Sequence, residues 1–483
     1  MKFVDLFSGC GGLSLGMERA GGALVAAVEK SDMAARTFFH NYVGDASDPR
    51  KWDRYVAASL AEQVQSKVIV RPLADVLGAP EIMASLRSTA LDVVVGGPPC
   101  QGFSMAGRRN KADIRNRLAW EYLDFVDATE PKAVVIENVV GMGNSFEPGE
   151  ESSFSQLRTA LAEQGSAGYA VQPVQVNAMH YGAPQHRPRL MLIALRRDVA
   201  DQLQIGVTDE VWRSSFVDEL TECPALAPRP TVRRDEVWTV RDAISDLSDW
   251  RLIPGQDRNA EYLRRLGGLS EAVRRAAGGE VPNQNRRRHG ERVVNRFSLY
   301  RWMQRAGVDR LLLSRIAATQ EDFVEVASPF LAEVEYPVVL QADANDAGHK
   351  IHDEAALIQF MLLLGTRKHS QKALDPEKPA RTVVSLPDDY VHPAESRTFT
   401  VRELARFQGF PDNFEFMGKE TTGAHRRRVE VPQYTQVGNA VSPWQSYAVG
   451  RMLKAHLEAF ARANEESPAV SSGQFEQHSL VAV

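Results

Sequence analysis

The first thirty residues alternate apolar runs with a glycine-rich turn and a helical segment. The run "MKFVDLF" reads as a short buried strand, "SGCGG" as its turn and "ALVAAVEK" as a second strand. Between the strands, "LSLGMERAG" has helical spacing and ends at Gly21 and Gly22. Because two parallel strands need a crossover connection of this kind, the stretch predicts a β-α-β unit.

The same alternation continues over roughly the first 200 residues. "LDVVVGG" and "KAVVIENV" are apolar runs that stop at polar turns, and "EYLDFVDATEP" between them has helical spacing. "YAVQPVQVNAM" and "RLMLIALRR" supply further strands. Strands that alternate with helices predict an α/β fold with a Rossmann-like, doubly wound and mostly parallel sheet.

A change of texture near Pro224 predicts a second, smaller domain. The stretch "CPALAPRPTVRRDE" is a proline-rich connector, and the regular alternation then disappears until about Thr398. The last residues have the composition of a disordered tail. The predicted segments are a first domain over 1–228, a second domain over 229–390, a return to the first domain over 391–462, and a tail over 463–483.

Cysteine usage and hydropathy favour a reducing, cytoplasmic setting. Cys10, Cys100 and Cys223 lie far apart without a C-x-x-C pair, which argues against a disulfide framework and against a metal site. No apolar run reaches about 18 residues, so we expect neither a membrane span nor a signal peptide. The formal net charge of -5 means that a polyanion would need a local basic face.

One segment offers such a basic face. From Arg286 onward, "RRRHGERVVNRFSLYRWMQR" contains seven arginines and one glutamate. Phe297, Tyr300 and Trp302 are interleaved with them, and this mixture suits phosphate contact and base stacking. We expect nucleic-acid contacts from Arg286, Arg287 and Arg288, although a solvated arginine-rich face has the same appearance.

The stretch "GGPPCQGFS" fixes a thiol behind two prolines at the end of an apolar run. Pro98 and Pro99 restrict the backbone, so a stiff loop presents Cys100 at the carboxyl edge of the predicted sheet. A lone cysteine is usually a small buried hydrophobe. A polar loop with arginines nearby instead favours the thiolate, and we interpret Cys100 as a reactive nucleophile.

Polar groups follow other strands at the same edge. In "DLFSGCGG", Gly9, Gly11 and Gly12 allow backbone to approach a ligand closely, and Glu29 ends the next strand where ribose hydroxyls could be bound. These features suit a nucleoside-bearing cofactor, and a tight structural turn followed by a surface glutamate would have the same sequence. Glu137 ends a later strand, where its carboxyl could exchange a proton beside the thiol or cap a neighbouring helix.

A further element carries two arginines. In "APQHRPRL", Arg187 and Arg189 alternate along extended chain, so their side chains are expected on one side, where a planar carbonyl or carboxylate could be bound.

In order, these pieces resemble the C5-cytosine DNA methyltransferase family. The matching blocks are "DLFSGCGG", "PPCQGFS", "ENV", "QHRPR", "RELARFQGFPDNF" and "QVGNAV". They run from residue 5 to residue 441 in the family's order. The resemblance implies a methyltransferase domain with a separate target-recognition domain, and S-adenosyl-L-methionine as cofactor.

The resemblance also assigns cofactor-binding residues. Phe7 would stack on the adenine, the three glycines of the turn would support the methionine portion, and Glu29 would hold the ribose. The remaining implied positions are Asp75, in the least well matched block, together with Pro98, Leu118, Asn439 and Val441.

The implied chemistry places a thiolate on cytosine. Cys100 would add to C6 so that C5 becomes nucleophilic, and Glu137 would donate a proton to N3. Arg189 would hold the exocyclic O2, with Arg187 supporting the site.

The implied substrate is double-stranded DNA, from which the target cytosine is rotated out of the helix. Gln101 and Ser104 would contact the extruded nucleotide, and the region 229–390 would read the target. Bacterial members of the family often protect host DNA from a companion restriction endonuclease, so such a partner is expected. A monomer is expected because base flipping requires one active site.

Three alternatives compete with this interpretation. A tRNA cytosine-5 methyltransferase would keep the same blocks with a shorter recognition region. A catalytically silent DNA-binding homologue would be expected to lack Cys100 or Glu137, and both are present. A nicotinamide-dependent oxidoreductase would need a different glycine spacing and leaves "PPCQGFS" unexplained.

Overall fold

An eight-stranded sheet organises the first half of the chain. The computed structural model describes residues 1–99, 114–143, 152–248, 258–274, 280–316, 323–343, 345–423, 426 and 429–466. The strands of the sheet are β1 Lys2–Leu6, β2 Ala23–Val28, β3 Val68–Ile69, β4 Val93–Gly96, β5 Ala133–Val139, β6 Tyr169–Asn177, β7 Pro188–Arg196 and β8 Trp212–Arg213. Four short strands outside it are β9 Val338–Leu340, β10 His349–Ile351, β11 Lys372–Ala373 and β12 Tyr390–Val391.

The strand order of the sheet is β3-β2-β1-β4-β5-β7-β6-β8. Strands β3, β2, β1, β4 and β5 are mutually parallel, whereas β7 is antiparallel to both β5 and β6. The reversal at β7 follows from the short connection after β6, which leaves no room for a crossover helix. The predicted doubly wound α/β sheet is confirmed.

Helices cover both faces of the sheet and continue through the rest of the chain. They are α1 Gly12–Arg19, α2 Asp32–Tyr42, α3 Pro49–Val56, α4 Leu60–Gln65, α5 Leu73–Leu77, α6 Pro80–Ser88, α7 Ile114–Thr129, α8 Ser153–Ala162, α9 Arg197–Gln202, α10 Val240–Ile244, α11 Asn259–Ser270, α12 Glu291–Ala306, α13 Leu312–Ile316, α14 Phe323–Leu331, α15 Glu354–Leu364, α16 Val401–Gln408, α17 Gln433–Asn439 and α18 Pro443–Glu466. Turns of 3-10 helix lie at Val140–Gly143, Ala178–His180, Val217–Glu219, Arg234–Glu236, Ser245–Leu247 and Pro387–Asp389.

The two faces of the sheet are buried in two separate apolar layers. Along β1, Phe3 packs into the layer that contains residues of α1, α2 and α18, and Val4 packs into the layer that contains residues of α5, α6 and α7. Successive strand residues point to opposite faces, so both members of each pair are buried. This double burial explains why the strands read as continuous apolar runs.

The chain returns to its first helix at the end. A Cβ built on Gly16 of α1 would lie 2.0 Å from Ser446 Oγ of α18, so the two helices cross in close contact. Gly450 makes a similar approach to Ala20. Helix α18 continues to Glu466, beyond the predicted boundary at 462.

Apolar residues of the region 229–390 are divided between two clusters. Its first part, including Trp238 and Tyr262, shares a cluster with Cys10 of the glycine turn and with residues of α16 and α17. A second cluster runs from Phe297 to Val391. Phe297 and Tyr300 are buried within it, so the expectation that they stack on bases is wrong.

Within the ranges described above, no helix combines the length and the apolar composition needed to cross a membrane.

Candidate active site

The site lies where the winding of the sheet reverses. The chain moves from β1 outward to β2 on one side, and from β4 outward to β5 on the other. Leu6 at the end of β1 is paired with Gly96 at the end of β4, so both turns that follow these strands lie at one edge. Open α/β sheets bind ligands in the crevice at this position.

The glycine turn after β1 combines tight packing with one open position. Cβ atoms built on Gly11 and Gly12 would lie 2.6 Å from a ring of α2 and 2.3 Å from Val441 O, so a side chain is excluded at both. At Gly9, with φ +55°, an added Cβ would meet nothing within 4 Å. Phe7 also has positive φ, at 56°, which is a strained conformation for an aromatic residue. The turn therefore presents open space at Gly9.

Glu29 joins the end of β2 to this turn. Its Oε2 accepts a hydrogen bond from Gly9 N at 3.0 Å, and its Oε1 accepts one from Ser31 N at 2.7 Å. Burial raises the pKa of Glu29, while the two backbone N–H groups oppose that shift. Each carboxylate oxygen can accept a further hydrogen bond, so a hydroxyl-bearing ligand could also be held.

The other predicted cofactor residues occupy different environments. Asp75 is exposed in the first turn of α5, and Leu118 is half-buried on α7. Asn439 is exposed at the end of α17, beside the buried Val441. Pro98 is buried, and its carbonyl accepts a hydrogen bond from Asn138 Nδ2 at 3.1 Å.

A cavity of about 700 Å³ opens between these elements. Its volume is in the range of sites that hold small molecules or nucleotides. The lining residues are Gly97, Pro98, Pro99, Glu137, Asn138, Val139, Gly141, Met142, Ser153, Arg189, Thr382, Val383, Val384, Ser385, Gly438 and Asn439. Four predicted site residues, namely Pro98, Glu137, Arg189 and Asn439, thus lie on one cavity.

Glu137 and Arg189 form an ion pair in this cavity. Arg189 Nε lies 2.8 Å from Glu137 Oε1, and both side chains are nearly buried. The absence of a side chain at Gly97 leaves room for the carboxylate, since a Cβ there would lie 3.0 Å from Glu137 Oε2. Burial raises the pKa of Glu137, and the positive charges of Arg189 and Arg187 act in the opposite direction.

Arg187 makes different contacts from Arg189. It is fully buried and does not line the cavity. Its guanidinium donates to Val383 O at 3.0 Å, Gly438 O at 2.7 Å and Ala440 O at 2.8 Å. Through these hydrogen bonds, Arg187 holds two segments that line the cavity, 382–385 and 438–439, against the start of β7.

One wall of the cavity has no recognisable signal in the sequence. Residues 382–385 line it, held by a bridge between Ala380 and Gln185 and by the bond from Arg187 to Val383. A Cβ on Gly438 would lie 2.6 Å from Ser385 N, so this wall packs directly on α17. In "ARTVVS", the two valines are too short an apolar run to show the periodicity of a strand or a helix, so the sequence does not indicate these contacts.

The predicted nucleophile Cys100 and its neighbours Gln101 and Ser104 lie outside the described residues. The two cysteines that are described have other environments. Cys10 is buried, and burial raises its pKa to about 12, so its thiol is an inert part of the core. Cys223 is half-buried, and its Sγ donates to Ala227 O at 3.5 Å.

Two of the three predicted DNA-contacting arginines have acidic partners. Arg286 lies 3.3 Å from Glu395, and Arg287 lies 2.9 Å from Asp388. Arg288 is exposed. In the part of the chain that is described, histidine, cysteine and carboxylate side chains form no cluster of three or more that could hold a metal ion.

Comparison with known proteins gives a consistent match along the chain. Residues 1–455 match the family model of the C-5 cytosine-specific DNA methylases. The Type II methyltransferase M.DdeI of Desulfomicrobium norvegicum is 27% identical over 97% of this chain and 92% of its own length. The Type II methyltransferase M.AgeI of Thalassovita gelatinovora is 29% identical over 94% of this chain and 99% of its own length.

A solved structure shares the fold. It is a DNA modification methyltransferase encoded within an E. coli prophage, with a TM-score of 0.50 and 22% identity over 95% of this chain and 99% of its own chain. The family match covers nearly the entire sequence and contains both turns at the sheet edge, Glu137 and Arg189. The chain belongs to the family of C-5 cytosine-specific DNA methylases, as a DNA (cytosine-5) methyltransferase of the restriction-modification type.

Proposed function

We propose that this enzyme transfers the methyl group of S-adenosyl-L-methionine to C5 of a cytosine rotated out of a specific duplex sequence. The observation that carries the proposal is the buried Glu137–Arg189 pair, which faces the cavity beside Pro98 at the switch point of the sheet. The Glu137 carboxyl, with its raised pKa, can donate a proton to N3 of cytosine. The guanidinium of Arg189, held in place by the ion pair, can donate hydrogen bonds to O2.

The residues at the end of β1 and β2 fit the cofactor. Gly9 faces open space, Glu29 has lone pairs for ribose hydroxyls, and the exposed Asn439 stands beside the cavity. Phe7 would stack on the adenine, and Asp75, Pro98, Leu118 and Val441 would complete the pocket. When bound there, S-adenosyl-L-methionine supplies an electrophilic methyl group.

The protein's own groups prepare the base. The Cys100 thiolate would add to C6 as Glu137 protonates N3, so the ring carries no net negative charge while C5 becomes nucleophilic. Arg189 would hold O2 and fix the orientation of the ring. After methylation, the C5 proton is lost to water, the thiolate leaves C6, and N3 returns its proton to Glu137, which restores the aromatic ring and the starting enzyme. Arg187 acts as a positioning residue, since its bonds hold the cavity walls.

DNA would be held by the cysteine loop and by the recognition region. Gln101 and Ser104 would contact the extruded nucleotide, and residues 229–390 would read the target. Within 286–288, the exposed Arg288 can contact phosphate directly, whereas Arg286 and Arg287 would first exchange their carboxylate partners.

Sequencing of 5-methylcytosine in the DNA of a methylation-deficient host tests this function. Expression of the wild-type chain should produce the modification at one short repeated context. The Cys100→Ala variant should leave the DNA unmodified. The matched control Cys223→Ser should modify the DNA as the wild-type chain does, because Cys223 does not line the cavity. Modification by the Cys100→Ala variant would refute the covalent mechanism, and unmodified DNA with folded wild-type protein would refute the proposed substrate.

A further inference from the structure

Arg310, Lys372 and Arg381 form a cationic cluster beside the wall of the cavity that contains Thr382, outside the catalytic and cofactor-binding residues. Arg310, between α12 and α13, donates from Nη1 to Gln371 O at 3.5 Å, which brings its guanidinium next to Lys372 of β11. Arg381 immediately precedes Thr382 of the cavity wall. Arg310 and Lys372 are half-buried, and Arg381 is exposed.

A short set of contacts joins this cationic cluster to the cavity. Lys372 is paired in register with Tyr390, whose hydroxyl donates to Thr382 O at 3.0 Å. On either side of Arg381, the chain is fixed to the segment that precedes β7. Ala380 N donates to Pro184 O at 2.8 Å, and Thr382 Oγ1 donates to His186 O at 2.8 Å. Hydrogen bonds on either side of Arg381 therefore hold its backbone next to the cavity-lining Thr382.

Among the residues that the structure describes, no carboxylate compensates the charge of this cluster. None of its three members forms an ion pair with a carboxylate of the described ranges, although neighbouring arginines and lysines do. The nearby acidic side chains already have partners: Asp388 pairs with Arg287 and Lys368, Asp389 accepts from Ser370 Oγ, and Asp309 lies 3.7 Å from Arg315.

The charges within the cluster repel one another. Burial and the positive charges of Arg381 and Arg310 lower the pKa of Lys372 to about 8. Like charges held together in this way are destabilising unless an anion lies between them. In a chain with a net charge of -5, a cluster of this kind also provides the local basic face that DNA binding needs.

We propose that Arg310, Lys372 and Arg381 bind the phosphodiester backbone of DNA beside the extruded cytosine. This proposal rests on the proposed function, and it adds the residues that hold the strand at the cavity mouth. Guanidinium groups bind phosphate oxygens through two parallel donors, and an ammonium group binds them as a point charge. Such contacts carry no sequence information and fix the register of the duplex on the enzyme.

The test is the salt dependence of DNA binding by the full chain. The probe is a mixed-sequence duplex of about 40 base pairs, with salt varied from about 50 to 200 mM. For Arg381→Gln and for Lys372→Gln, we expect weaker binding and a log–log salt slope that is smaller by about 1 for each residue replaced. Arg381→Lys should restore the slope because it keeps the charge.

The matched control is Arg462→Gln. Arg462 is exposed on α18, about 28 Å along the helix from Pro443, so its loss should leave the slope unchanged. Lys372 is half-buried, so thermal melting shows whether its variant folds. If the Lys372→Gln variant does not fold, the Arg381→Gln variant alone tests the proposal, because Arg381 is exposed and its replacement should not affect folding.

The outcomes separate the two proposals. An unchanged slope in Arg381→Gln, with methylation retained by the wild-type chain, would overturn the phosphate-binding role and leave the methyltransferase function intact. Wild-type protein that binds cofactor but neither binds nor methylates duplex DNA would overturn both.

Discussion

Arg189 Nε lies 2.8 Å from Glu137 Oε1, on the neighbouring antiparallel strand of the sheet. The ion pair fixes the carboxyl group in the cavity, while burial raises its pKa. These two effects oppose each other in the protein without substrate. A carboxyl group whose pKa is raised and whose position is fixed in this way suits general acid catalysis at N3.

Replacement of Glu137 by Gln should separate catalysis from binding. Glutamine keeps the shape of the side chain but cannot donate an acidic proton, so methyl transfer should fall by about 10²- to 10⁴-fold. Cofactor affinity, measured by calorimetry, should remain at the wild-type value because Glu137 is proposed to act on the base. A rate within threefold of wild type would exclude Glu137 as the proton donor.

The Glu29→Ala substitution should weaken cofactor binding by about 1 to 3 kcal/mol, the usual effect of removing hydrogen bonds to a charged group. Calorimetric titration with S-adenosyl-L-methionine measures this change. Glu81→Ala is the matched control, because Glu81 is exposed on α6. If both variants bind with equal affinity, Glu29 does not hold the ribose.

Alanine at Gly9 and at Gly12 should have different effects. At Gly9 the added methyl group enters open space, so the protein should fold with a loss of roughly 1 to 2 kcal/mol from the positive φ and should bind cofactor poorly. At Gly12 the methyl group would lie 2.3 Å from Val441 O, so the fold itself should be destabilised. Thermal melting and cofactor titration of the two variants distinguish these cases, and equal melting temperatures would contradict the assignment.

Asp5 should make stability fall as pH rises. It is fully buried on β1 and accepts a hydrogen bond from Ser14 Oγ at 2.6 Å. Burial raises its pKa from 3.8 to about 7, with the charge of Glu29 contributing, so the folded chain keeps a proton that the unfolded chain releases. The stabilisation is complete below about pH 4 and is lost up to about pH 7, a difference on the order of a few kcal/mol.

The Asp5→Asn variant removes this titration while it keeps an amide oxygen for Ser14. Its free energy of unfolding, measured by denaturant titration, should therefore vary less with pH between about 4 and 7 than that of wild type. Parallel pH profiles for the two proteins would show that Asp5 is ionised in the folded state.

Local patterns predicted the sheet and the turns at its edge. Apolar runs and glycine spacing identified β1, β2, β4 and β5, because a strand that is buried on both faces consists almost entirely of apolar residues. The direction of β7 was not predicted, because hydrophobic periodicity identifies a strand but does not show whether it runs parallel or antiparallel to its neighbours. The domain boundaries, and the roles of Cys100 and the other site residues, stay predictions.

Long-range contacts account for what the sequence did not reveal. Arg187 and Arg189 look equivalent in "QHRPR", yet the first bonds to carbonyls of Val383 and Gly438 while the second pairs with Glu137. The ion pairs of Arg286 and Arg287 likewise join residues separated by about a hundred positions. Partners at such distances are set by tertiary packing, on which local pattern carries no information.

The close contact between α1 and α18 also limits when the enzyme can become active during its synthesis. Ser446 Oγ donates to Leu13 O across 433 positions of chain. At roughly 5 to 20 residues per second, a ribosome needs on the order of 20 to 90 s to make the connecting sequence. During that interval α1 lacks its covering helix and the turn lacks Val441. A nascent chain therefore cannot modify DNA until Val441 and α18 have been synthesised and packed on α1.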